Sequence, residues 1–191
     1  DMNDTVKVTE GIQSYIPAGA HKVQPEGLKS NETIRVGDLL YATIMINAND
    51  AAVALAHHVA GTTDAFLQMM NNRAKQLGCG NTEFGNISGL YTAESHSTGR
   101  DMAKILREAM KNEDFKTIMK TPSYTIPETD MVKEREFKTQ NYLIDDSTIQ
   151  EFFNKNVTGG MQSYHEQTAA SIACTADYNG MSFIAVVLGA V

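Results

Sequence analysis

The spacing of apolar and polar positions changes period along the chain. Thr5 to Thr9 (TVKVT) alternates and is β-branched, which predicts a short strand. A glycine-, proline- and polar-rich loop follows to about Arg35. From Val36 the period becomes helical, with Leu39, Leu40, Thr43, Ile44 and Ile46 or Asn47 recurring on one face. Asp38 falls in the first turn, where the helix dipole favours an acid. Asn47-Ala48-Asn49-Asp50 breaks that helix, and Asp50 is expected to cap a second one over Ala51 to Val59. A third helix starts at Thr62 or Thr63. Its expected buried face is Ala65, Phe66, Met69, Met70, Ala74 and Leu77, and Gly78 ends it. Asn81 to His96 reads as an irregular loop. Thr98 with Asp101 three residues on opens a fourth helix with a capping-box pattern, its apolar face being Met102, Ile105, Leu106, Ala109 and Met110. A shorter helix covers Glu113 to Met119.

The last third reads as strands: Ser123 to Ile126, Val157 to Tyr164, Thr168 to Thr175 and Met181 to Leu188. The final two join through Asp177-Tyr178-Asn179-Gly180, and Asn-Gly is a strong hairpin signal. Helices followed by an antiparallel hairpin predict the α+β class.

Length and charge narrow this picture. At 191 residues, 42% hydrophobic and 20% charged, the chain suits one globular domain with a sizeable core. A net charge of −7 argues against a nucleic-acid partner and against an anionic membrane surface. No apolar run approaches a membrane span, and no signal peptide opens the chain. It starts in charged sequence at Asp1 and stops inside an apolar run at Val191, so both ends read as cut. Cys79 and Cys174 are expected to be ordinary thiols, with a disulfide left as the alternative.

Four stretches carry the chemistry. They are DLLYATIMINANDAAVALA (38–56), RAKQLGCGNTEFGNISGL (73–90), HSTGRDMA (96–103) and NGMSFIAVVLGA (179–190). Together and in this order they resemble the D-alanyl-D-alanine carboxypeptidases, the penicillin-binding serine peptidases of family S11. The resemblance implies a β-lactamase/DD-peptidase fold: a helical lobe over about 36–120 against sheet strands at about 123–127 and 156–190, one domain over 1–191. It implies acyl transfer without a cofactor, in which a serine attacks a terminal D-Ala-D-Ala bond and water releases the acyl group. It also implies an extracytoplasmic place in cell-wall metabolism.

The family's three motifs map unevenly. No serine here has a lysine three residues later, so Ser-x-x-Lys would precede Asp1. Ser-x-Asn falls on Asn47-Ala48-Asn49. Asn49 keeps the asparagine, but Asn47 has an amide where the family has a hydroxyl able to pass a proton. Lys-Thr-Gly falls on Met161-Gln162-Ser163. Met161 removes the carboxylate-gripping cation, and Ser163 adds a side chain where glycine lets backbone approach a ligand. Shifting the register to Val157-Thr158-Gly159 still supplies no lysine. The groove residues implied are Asn49, Ser163, Tyr164 and His165.

The expected protein is therefore a non-cleaving relative that binds peptidoglycan stem peptides or a cell-wall protein. One alternative is part of an active carboxypeptidase whose nucleophile lies upstream of residue 1. Another is an interaction domain with no groove. A segment outside the chain is expected to complete the fold, and without it the apolar faces around 39–46 and 65–77 should be exposed. Other chemistry is thin. His57 and His58 point about 100° apart on a helix and read as solvated. His96 reads as a loop anchor. His165-Glu166 is capable of proton transfer but has only Ser163 as a nearby nucleophile. The methionines Met69, Met70, Met102 and Met110 read as core. There is no phosphate-cradling glycine loop, metal-ligand spacing or dinucleotide fingerprint.

Overall fold

The computed structural model describes residues 1–145 and 150–190, so Val191 at the end of the apolar run lies outside the described residues. The chain divides into two compact units. The first holds Asp1–Met69, Asn86–Leu90 and Ser123–Lys138; the second holds Met70–Gly85, Tyr91–Pro122 and Thr139–Val191. Helices and antiparallel strands make it α+β, as the pattern predicts. No helix among the described residues is long and apolar enough to cross a membrane.

In the first unit, β1 (Thr5–Lys7) pairs antiparallel with β2 (Thr33–Arg35), Val6 facing Ile34. β2 is three residues long and was expected as loop. Helices α1 (Val36–Ile46) and α2 (Asn49–Ala60) follow, and β3 (Ser123–Ile126) pairs with β4 (Arg135–Lys138). The core gathers Val6, Val8, Ile12, Leu28, Ile34, Leu39 and Ile126. Asp38 does more than complement a dipole. Buried, it accepts the Arg35 fork through Nε and Nη2, each at 2.9 Å, and the Tyr124 hydroxyl at 2.7 Å. Tyr41 stacks on Tyr124 at 3.7 Å. Burial first, then the hydrogen bond to Asp38, pushes the Tyr124 phenol well above its ordinary range.

Two expectations change here. Leu39, Ala42 and Met45 of α1 are buried, not exposed, because α2, β2 and β4 pack against that helix. His57 is half-buried, with Nδ1 at 2.9 Å from the Thr9 hydroxyl and its ring edge-on to Tyr15; only His58 is solvated.

Helix α3 (Thr63–Gln76) buries Ala74 alone. Phe66, Met70 and Leu77 are half-buried, and Met69 is 50% exposed rather than core. The second unit sets α4 (Gly99–Ala109) and α5 (Glu113–Met119) on a sheet of order β5-β6-β7. Its strands are β5 (Val157–His165), β6 (Ala169–Tyr178) and β7 (Met181–Ala190). Asn179 and Gly180 both take positive φ, 50° and 76°, the primed turn that Asn-Gly predicts. Thr98 caps α4 by accepting the Asp101 N–H, and Asn112 caps α5. The Asp101 carboxylate turns back onto the preceding loop. It accepts the Asn81 N–H at 3.0 Å, the Thr82 hydroxyl at 3.1 Å and Lys104 Nζ at 2.9 Å. His96 anchors that loop through a two-way backbone bridge with Glu83. Both cysteines are free thiols.

Candidate functional site

The sequence-predicted residues fall in both units. Asn47 and Asn49 are in the first; Met161, Gln162, Ser163, Tyr164 and His165 are in the second.

Asn47 ends α1 in the left-handed region, φ 53° and ψ 39°, with its N–H on the Ala42 carbonyl. Asparagine enters that region more readily than most residues because its short amide bonds locally. Asn49 is the first residue of α2 and 4% exposed. Its backbone N–H donates to the His21 carbonyl at 2.8 Å, and its Nδ2 donates to His21 O and Asn47 O, each at 3.1 Å. Its Oδ1 is buried without a partner. Its amide is fixed by donating to two carbonyl acceptors.

Asp50 is not the helix cap. The cap position is Ala48, and Asp50 lies within α2. A fully buried carboxylate needs several donors, and it finds them in the preceding loop: Oδ1 takes the Val23 N–H at 3.0 Å, and Oδ2 takes the Leu28 N–H at 2.8 Å. Burial raises its pKa, and the backbone bonds offset part of that rise. Sequence reading missed this role because its partners lie 27 and 22 residues away.

On β5 the two glycines precede the motif positions. A Cβ on Gly159 would meet Met119 Cβ at 2.8 Å, and one on Gly160 would meet Asn141 Nδ2 at 2.8 Å and Cys174 Cβ at 2.9 Å. Both glycines therefore serve packing. Beyond them the strand opens. Met161 is half-buried opposite Ala173, and Gln162 donates its amide to the Gln140 carbonyl. Ser163 is exposed opposite Ser171. Tyr164 is 75% exposed. His165 stacks on Tyr91 at 5.4 Å, and its Nδ1 accepts the Gln167 N–H at 3.2 Å. Alternation puts Met161, Ser163 and His165 on one face of the strand. No hydrogen bond joins Ser163 to His165, and no ion pair joins His165 to Glu166, among the described residues. The strand offers a hydroxyl and an imidazole with no hydrogen bond between them among the described residues.

The family model for D-alanyl-D-alanine carboxypeptidase, peptidase S11, matches residues 1–191. The chain belongs to the D-alanyl-D-alanine carboxypeptidase family. DacF of Bacillus subtilis is 30% identical over 189 residues, 99% of this chain and 45% of DacF. DacC of Escherichia coli is 33% identical over 171 residues, 85% of this chain and 38% of DacC. The chain thus spans less than half the length of these two curated relatives. Among solved structures, the Streptomyces K15 DD-transpeptidase superposes with a TM-score of 0.84 at 26% identity, covering 99% of this chain and 72% of that one. A D-alanyl-D-alanine carboxypeptidase from Mycobacterium tuberculosis H37Rv gives 0.83 at 25% identity, covering 100% and 67%.

This member of the carboxypeptidase family carries a further buried group that its sequence did not flag. Asn141, 2% exposed, accepts the Leu143 N–H through Oδ1, and its Nδ2 is buried without a partner against Gly160. A lone asparagine between Gln140 and Tyr142 gives no periodic or motif signal.

Proposed function

We propose that residues 1–191 hold peptides ending in D-alanyl-D-alanine without cleaving them, as a non-catalytic branch of this cell-wall family acting outside the cytoplasm. The observation that carries the reading is β5. Where the family has Lys-Thr-Gly, this strand offers the Met161 thioether, a Gln162 amide engaged by Gln140, and a Ser163 hydroxyl with no base on it. Acyl transfer needs a serine whose proton is taken as it attacks. None of the serines in the chain stands three residues before a lysine, and Asn47 replaces the motif hydroxyl with an amide. The open end of β5 offers backbone and the exposed Tyr164 to an extended peptide.

Fluorescent penicillin on the 191-residue chain tests this. No covalent band is expected, release of D-alanine from diacetyl-Lys-D-Ala-D-Ala should match buffer, and the peptide should shift amide resonances at Ser163 and Tyr164. Labelling or turnover above buffer would reject inactivity. The chain's coverage of under half of its relatives supports a second reading, in which a longer natural protein supplies serine and lysine from elsewhere. Labelling of that longer protein alone would favour it.

A further inference from the structure

The loop preceding β2 forms an open surface depression of about 560 Å³ lined by Gly19, Ala20, Lys22, Val23, Gln24 and Pro25. Its walls are fixed from several sides. The His21 carbonyl accepts both the backbone N–H and Nδ2 of Asn49, and the Val23 N–H is held by the buried Asp50 carboxylate. Ala20 N–H bonds to the Pro17 carbonyl, and Gln24 and Gly27 exchange two bonds, Nε2 to O at 3.0 Å and N–H to O at 2.8 Å. Such a loop does not have to be ordered when a ligand arrives.

Lys22 is the one charged side chain in the lining, and it is half-buried. None of the ion pairs among the described residues uses it. The nearby carboxylates do not serve as its partner. Asp50 is occupied by backbone N–H groups, and Glu26 is exposed on the same loop outside the lining. An ammonium is a compact point charge that suits a single carboxylate without requiring a planar fork. Gly19, Ala20, Val23 and Pro25 supply short, mostly apolar walls around it.

We propose that the 19–25 pocket is a carboxylate site that takes the C-terminal end of a short peptide of small residues, with Lys22 as its cation. This rests on the stem-peptide reading above and deepens it.

Calorimetric titration of the full chain with diacetyl-Lys-D-Ala-D-Ala and with its C-terminal amide tests the site, alongside Lys22→Met and Lys22→Arg. Circular dichroism should be unchanged in both variants, because Lys22 makes no bond within the loop. The acid should bind about tenfold more tightly than the amide, as one charge-assisted hydrogen bond allows. Lys22→Met should erase that preference, and Lys22→Arg should keep most of it. If Lys22→Met binds the acid as the parent does and still prefers it, the Lys22 site is refuted while stem-peptide binding stands. N-acetyl-D-alanine separates the remaining outcomes. If the peptide fails to bind but this small acid still shifts the Lys22 side-chain resonances, the carboxylate site holds and the stem-peptide reading falls. If neither binds, both fall.

Discussion

Asn47 holds φ at +53°, and this backbone requirement sets what the position tolerates. Replacing it removes side-chain interactions as well as changing backbone preference, so the informative comparison is between two truncations. Asn47→Gly keeps easy access to positive φ, whereas Asn47→Ala does not. Urea unfolding should place Ala below Gly by about 1 kcal/mol. Asn47→Ser, which installs the residue type of the family motif, should fall with Ala. Equal midpoints for Gly and Ala would mean that the left-handed geometry is not what selects asparagine here. The identity of these residues was legible in the sequence, but their use was not. NAND announces a helix break; it does not announce that Asn49 reaches back to His21 or that Asp50 holds Val23 and Leu28. Those bonds bridge more than twenty residues and depend on how the loop folds over α2.

At the scale of elements, reach in sequence decided what could be read. β6 and β7 are ten residues each with an Asn-Gly turn between them, and α4 opens on a local cap, so their signals lie within one window. β2 and β4 have three and four residues and exist because β1 and β3 pair with them, which no local pattern reports. The α4 start shows how one residue joins two elements. Asp101 was readable as a helix-start acid, yet its carboxylate also fastens the 81–82 turn. Its hydrogen bond to Lys104, with those from Asn81 and Thr82, holds its pKa below the ordinary aspartate value. A carboxyl depressed in the folded state adds stability above its unfolded pKa and loses it as pH falls through the folded one. Asp101→Asn should therefore flatten the acid limb of the stability curve. Urea midpoints of the parent and the variant, followed from neutral pH to about pH 2, should differ at neutrality and converge in acid. A constant gap across that range would show that the loss is one of packing and not of charge.

For the whole molecule, the resemblance carried further than any element because four separated stretches agreed in order, and the fold it implied is the fold observed. What it left out is where apolar surface remains open. The expectation placed that surface on the helices at 39–46 and 65–77, but α1 is largely buried and the larger open set lies on β7. Register explains this. Phe183 and Val187 face the same way as Ala176 and Ile172 on β6, while Ile184 and Val186 turn to the other face and are half-buried where α4 packs on β7. The open face shows Phe183 at 47% and Val187 at 48% exposure, and the outer edge of β7 has no strand beside it among the described residues. An apolar, ten-residue edge strand is a template for pairing with another chain. The 191-residue chain should thus self-associate as its concentration rises, and Val187→Lys should reduce the associated fraction. Because Val187 makes little use of burial, that substitution should leave the unfolding midpoint within about 0.5 kcal/mol of the parent. Sedimentation velocity reads the first effect and urea unfolding the second. If the lysine variant associates as strongly as the parent at equal stability, the contact lies elsewhere and β7 is not the sticky edge its register makes it.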